Sequence, residues 1–189
     1  MAVLLVLLIS PSHLPSELQS KNEAPENMPA RTTPVDNFPV SLYPKKTGIE
    51  DFPFVSATSF YLIDLDSGTE LFAKDPNERL RPASITKLMT ALVALDYYKP
   101  DDFLTVKRLA PEAGESDMGL TVGDVASINN LLYGLLVPSG NDAAYTIAEN
   151  YPGGVTNFVE AMNRKAVKLN LTNTHFDNPA GFDGSNHYS

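Results

Sequence analysis

The chain has 189 residues, 43% hydrophobic, 20% charged and 9% aromatic, which is the composition of a folded protein with room for one domain and a tail and excludes a disordered chain. Lys and Arg number 14 against 23 Asp and Glu, a formal charge of −9, so no basic surface awaits phosphates and nucleic acid is not an expected partner. With no Cys, disulfides, Cys-ligated zinc and thiol nucleophiles are ruled out, while the compartment is left open.

Residues Ala2 to Ile9 form an unbroken apolar run, too short for the ~20 residues of a membrane-spanning helix but long enough for the core of an export signal. No Lys or Arg precedes it, because the first is Lys21, and no clean small-x-small cleavage site follows. A mis-assigned start or an anchor without its first half accounts for both departures. Eight of the 15 prolines then fall within the first 53 residues and deny backbone donors to helix and sheet alike. Ser10 to Pro53 therefore reads as an extended linker, which divides the chain into a leader and linker over 1–53 and a folded domain over 54–189.

From Phe54 the pattern changes. Phe60 and Leu62 alternate with Tyr61 and Ile63, a second apolar run covers Leu71 to Ala73, and Asp66-Ser67-Gly68 between them signals a hairpin turn. Pro82 precedes a helix expected over about Ser84 to Tyr98, which Pro100 ends. Further helices are expected over Ser127 to Leu136 and Asn141 to Asn150, separated by Val137-Pro138-Ser139-Gly140. Val155, Phe158, Val159, Met162, Ala166 and Leu169 have the spacing of one buried helical face. Strands first and helices after make the expected class α+β.

Within Pro82 to Leu95, Lys87 is the only charged residue. Burial lowers a lysine's pKa, which is how an amine becomes a general base near neutral pH. Ser84 lies three residues earlier, on the same helical face, and at the helix start, where unpaired N–H groups can stabilise an oxyanion. The plain alternatives are an N-cap role for Ser84 and a snorkelling Lys87. Ser139-Gly140-Asn141 places a hydroxyl and an amide in an interhelical loop. The same Ser-x-Asn pattern at Ser20 and Ser127 is better read as linker and as N-cap. Together the two motifs form the Ser-x-x-Lys plus Ser-x-Asn constellation of penicillin-recognising enzymes. No Gly-x-Ser-x-Gly or phosphate-binding loop is present, and His175 and His187 lack metal-ligand spacing.

The run Arg81 to Ala91, followed 55 residues after Ser84 by Ser139 within Leu135 to Ala144, resembles the D-alanyl-D-alanine carboxypeptidase family, serine peptidases that include low-molecular-mass penicillin-binding proteins. Asp64 to Gly68, Gly114 to Met118 and Asn173 to Phe182 extend the likeness. It implies the penicillin-binding-protein/β-lactamase-like transpeptidase fold, here as its helical part plus the N-terminal hairpin of an antiparallel sheet. It also implies a catalytic set of Ser84, Lys87 and Ser139, substrate binding by Asn141, and no metal or organic cofactor. The implied partners are peptidoglycan stem peptides ending in D-Ala-D-Ala and β-lactams. The implied location is extracytoplasmic, with membrane anchoring through the N-terminus or a missing C-terminus.

The family's third motif, Lys-Thr-Gly, should follow Ser-x-Asn. The only Lys-Thr-Gly here, Lys46-Thr47-Gly48, precedes Ser84 and is read as coincidence, so the expectation is a C-terminally truncated fragment that is inactive without that strand. A D,D-endopeptidase of the same family and a non-catalytic peptidoglycan-binding homologue remain as alternatives. A class A β-lactamase fits less well, because Gly140 replaces the Asp of its Ser-Asp-Asn motif and no Glu follows Glu160.

Overall fold

The computed structural model describes residues 55–112, 114 and 116–189, together with Pro44. The apolar run, most of the Pro-rich linker, Lys46-Thr47-Gly48, Phe54 and Glu115 lie outside the described residues. The chain divides into two compact units, Met1–Pro76 and Asn77–Ser189.

In the first unit, strand β1 (Phe60–Ile63) pairs antiparallel with β2 (Glu70–Lys74), Phe60 opposite Lys74 and Leu62 opposite Phe72. The expected turn closes this hairpin. The Asp64 carboxylate accepts hydrogen bonds from the backbone and hydroxyl of Ser67, and Gly68 takes the left-handed φ of +68° that the reversal requires. The hairpin shifts register by a bulge between Leu62 and Ile63.

The second unit is mainly helical. A single 3-10 turn, Ala83–Ile85, leads into α1 (Thr86–Tyr97). After it come β3 (Phe103–Thr105), the short α2 (Leu109–Glu112), β4 (Val125–Ser127), α3 (Ile128–Leu136), α4 (Asn141–Asn150) and α5 (Gly154–Lys168). β3 and β4 form a two-stranded antiparallel ribbon, and neither was expected, since three residues are too few to show alternation. Ser127 caps α3 as expected, its Oγ accepting the Asn130 N–H at 3.2 Å.

Helix α4 occupies the centre, packed against α1, α2, α3, α5 and β3. Three of its inward residues are small: Ala143, Ala144 and Ala148 are fully buried, which lets the neighbouring helices approach closely. Larger side chains fill the remaining space, with Ile128, Leu131 and Leu135 from α3, Ile147 from α4, and Phe158, Met162 and Ala166 from α5. Full burial of a side chain such as Phe158 contributes roughly 1.5–3 kcal/mol. Of the stripe expected on α5, Leu169 is a correction: it lies just past the helix end and is 46% exposed. The Tyr97-Tyr98 pair splits, with Tyr98 buried and donating to the Ile147 carbonyl at 3.1 Å while Tyr97 is exposed.

The last residues fold back on the helices. Leu80 and Ser189 exchange backbone hydrogen bonds, as do His175 and Tyr188, and the Asn163 side chain of α5 bonds both N–H and C=O of Phe176. Segment 176–187 thereby runs beside the start of α1, where Thr90 donates to the Pro179 carbonyl at 2.6 Å.

Candidate active site

Pro82 is buried and holds φ at −74°, and Ala83 then takes a φ of +47°, a left-handed value that disfavours any side chain. The reversal presents Ser84 outward at the head of α1. Ser84 is exposed, whereas Lys87, one turn on, is only 2% exposed. The i, i+3 spacing brings Lys87 Nζ to 3.2 Å from Ser84 Oγ.

Ser139 arrives from the turn between α3 and α4. Its φ is +64°, again left-handed and non-glycine, a kind of strain that concentrates at functional sites. Its hydroxyl does not cap α4 but stands 3.2 Å from Lys87 Nζ. One amine therefore bridges two hydroxyls that lie 55 residues apart in the chain. Among the described residues no carboxylate is within ion-pair distance of Lys87, and burial lowers its pKa from the ordinary 10.5 to about 8. Near neutral pH such an amine has an appreciable neutral fraction, and one that does can take a hydroxyl proton.

Asn141 opens α4 and is 5% exposed. Its Nδ2 donates to the Gly114 carbonyl at 2.7 Å and its N–H to the Ser116 carbonyl at 2.7 Å, so it ties Gly114 and Ser116 to the head of α4 and makes no hydrogen bond to Ser84, Lys87 or Ser139. The structure thus gathers Ser84, Lys87 and Ser139 into direct contact and sets Asn141 one step away.

Several neighbours lie in or near the segments that carry the family likeness, but nothing in the sequence singles them out one by one. Asp142, 2% exposed, accepts backbone N–H bonds from Met118, Leu120 and Ala143 at 2.8–3.0 Å, which fixes the 118–120 segment to α4. Behind Ser84, Asn178 Oδ1 collects the N–H groups of Ala180, Gly181 and Phe182 at 2.7–3.1 Å and shapes a tight turn. Gly181 of that turn, at φ +98°, abuts the backbone of Ala83 and Ser84. His187 and Thr86, both buried, meet at 2.8 Å between Nε2 and Oγ1. His175 bonds the Asn186 carbonyl at 2.7 Å and lies 3.5 Å from Asp177, so it packs within the C-terminal turn.

A family profile described as D-alanyl-D-alanine carboxypeptidase matches residues 46–189. The chain belongs to this family. It is 39% identical over 138 residues to the D-alanyl-D-alanine carboxypeptidase DacF of Bacillus subtilis, a match covering 70% of this chain and 36% of that protein. A D-alanyl-D-alanine endopeptidase of Pseudomonas aeruginosa is 37% identical over 142 residues, covering 73% and 45%. Among solved structures, penicillin binding protein 5 of Haemophilus influenzae superposes with a TM-score of 0.68 at 36% identity, covering 74% of this chain and 43% of that one. The family's α+β fold is therefore present, with the expected hairpin and helical part. The chain spans little more than a third of the length of its DacF relative.

Proposed function

We propose that the protein carrying this sequence is a serine-type D-alanyl-D-alanine carboxypeptidase that removes the terminal D-Ala of peptidoglycan stem peptides through an acyl-enzyme on Ser84. The observation that carries this reading is the Lys87 amine, buried, lowered to about 8, and 3.2 Å from both Ser84 and Ser139.

Neutral Lys87 takes the Ser84 proton as Oγ attacks the carbonyl carbon of the penultimate D-Ala. The oxyanion that forms accepts a hydrogen bond from the Ser84 N–H in the opening turn of the helix. The C–N bond then breaks, the leaving amine receives a proton through Ser139, and free D-Ala departs. Water adds to the ester carbonyl and gives a proton to neutral Lys87, which passes it to Ser84 Oγ as the ester C–O bond breaks and the shortened peptide leaves. Asn141 keeps one Nδ2 hydrogen on Gly114 and has a second for the substrate backbone. A β-lactam acylates Ser84 by the same first step. The family assignment supports placing this chemistry outside the cytoplasm, where peptidoglycan lies. Among the described residues no helix is long and apolar enough to cross a membrane.

Residues 54–189 carry this chemistry in our reading, with 1–53 as leader and linker. The family match runs over residues 46–189 and so begins inside the stretch read as linker.

The test is covalent labelling of the full-length gene product with a fluorescent penicillin, beside D-Ala release from a pentapeptide ending in D-Ala-D-Ala. Ser84→Ala should abolish both. Unchanged labelling of Ser84→Ala moves the nucleophile elsewhere, and labelling without D-Ala release removes the carboxypeptidase reading. The likeness to an endopeptidase supports a second reading, in which the bond cut is a D,D-crosslink. Cleavage of crosslinked muropeptide dimers with pentapeptide untouched decides for it.

A further inference from the structure

The head of α1 is held from behind by one buried side chain. His187 is 4% exposed and Thr86 1% exposed, and they are joined through Nε2 and Oγ1 at 2.8 Å. On the other ring nitrogen, His187 Nδ1 receives the Asp177 N–H at 3.0 Å, and Asn178 Nδ2 also lies 3.5 Å from it. Since Nδ1 faces a backbone donor it must accept, so the proton sits on Nε2 and is donated to Thr86. Burial, the largest influence on this imidazole, holds it below the ordinary value of 6.5 and favours the neutral form that the two bonds require.

Both partners of His187 lead to Ser84. Thr86 is two residues along, and its N–H bonds the Ala83 carbonyl. Asp177 opens the Asn178 turn, whose Gly181 presses on that same Ala83 carbonyl and on the Ser84 nitrogen. Four residues after Thr86, Thr90 bonds Pro179 of the same turn, so α1 and the turn are stitched at two successive helical turns. The imidazole is where these two routes close on each other.

We propose that His187 is a positioning residue for acyl transfer. It sets the backbone of Ser84, and with it the oxyanion-facing N–H, by bonding Thr86 on one side and the Asp177–Phe182 turn on the other, without touching substrate. The proposal rests on Ser84 being the acylated residue. A displacement of the order of 1 Å at a reacting centre costs up to about 10²-fold in rate, so loosening this link acts on the bond-forming step. Binding of the preceding non-covalent complex should hold, because the His187 and Thr86 side chains are both buried away from the surface that substrate meets.

The experiment is stopped-flow acylation of the full-length protein by a fluorescent penicillin, resolving the acylation constant from the dissociation constant of the initial complex. Four variants are compared with the wild type: His187→Phe, His187→Gln, Thr86→Val and Thr86→Ser. His187→Phe and Thr86→Val should lower the acylation constant about tenfold or more while the dissociation constant stays within about twofold. Thr86→Ser, which keeps the hydroxyl, should restore most of the rate, as should His187→Gln if its amide spans to Thr86. Should His187→Phe not fold, as read by its melting curve, the Thr86 pair still decides. Wild-type acylation in Thr86→Val, or a fall shared equally by Thr86→Val and Thr86→Ser, overturns the proposal. So does a loss that only tracks the unfolded fraction. Absence of labelling at Ser84 in the wild type is the separate result that overturns the functional reading itself.

Discussion

Gly181 and Ala83 touch backbone to backbone: a Cβ placed on Gly181 falls 2.0 Å from the Ala83 carbonyl oxygen and 3.1 Å from the Ser84 nitrogen. Neither obstacle is a side chain that could turn aside. Gly181 also sits at φ +98°, where any other residue is strained. Gly181→Ala should therefore destabilise the fold by roughly 1–3 kcal/mol and slow acylation of the molecules that remain folded. Urea unfolding together with penicillin labelling checks both halves. An alanine variant of wild-type stability and rate contradicts the close approach.

The pKa of Lys87 predicts a pH profile. With a value of about 8, the neutral fraction rises about tenfold between pH 7 and pH 9, and the rate of acylation should rise with it. A profile flat over that interval removes Lys87 as the base. The stability effect has a definite sign too. The folded value lies below the ordinary 10.5, so the unfolded chain binds the proton more tightly, and stability contributed above 10.5 is lost as pH falls through about 8. Lys87→Met should accordingly melt higher than the wild type at pH 7, with the gap shrinking as pH approaches 10.5.

In the proposed mechanism Ser139 combines a proton-relaying hydroxyl with an unfavourable backbone. At φ +64° glycine is at ease and alanine is not. Ser139→Gly should be more stable than Ser139→Ala by roughly 1 kcal/mol, while both lose turnover, because neither returns a proton to the leaving amine. Thermal melts and D-Ala release measure the two effects. Equal stability of the two variants shows that the turn relaxes out of the left-handed region.

Asp142 should behave as a structural carboxylate. Asp142→Ala leaves the N–H groups of Met118, Leu120 and Ala143 without their acceptor, a loss of roughly 3 kcal/mol or more. Hydrogen exchange at the Met118 and Leu120 amides should accelerate by far more than at the core amides of α5. Uniform acceleration across the unit contradicts a local role.

What could be read in advance follows from the range of each contact. The Ser84–Lys87 pair is legible because three residues of helix fix it, and the hairpin because Asp64, Ser67 and Gly68 write their turn locally. α4 shows clear ends, bounded by the Ser139-Gly140 turn and by Pro152. Ser139 needed the resemblance to an enzyme family, since no spacing rule links residues 84 and 139. The contacts of Thr86 with His187 and of Gly181 with Ala83 span about a hundred residues and use a hydroxyl, a ring nitrogen and bare backbone, none of which carries a pattern. Sequence periodicity reports burial, and it marked Lys87 as odd. It does not report which distant group satisfies a buried polar atom.

The grip of Asp142 on its neighbours is exerted entirely through main-chain hydrogens. Such a grip is indifferent to what residues 118 and 120 carry on their Cα atoms, provided neither is proline, which has no hydrogen to give. The path of residues 118 to 120 through space is thus tied to one carboxylate at the head of α4, independently of the packing of the Met118 and Leu120 side chains against the core.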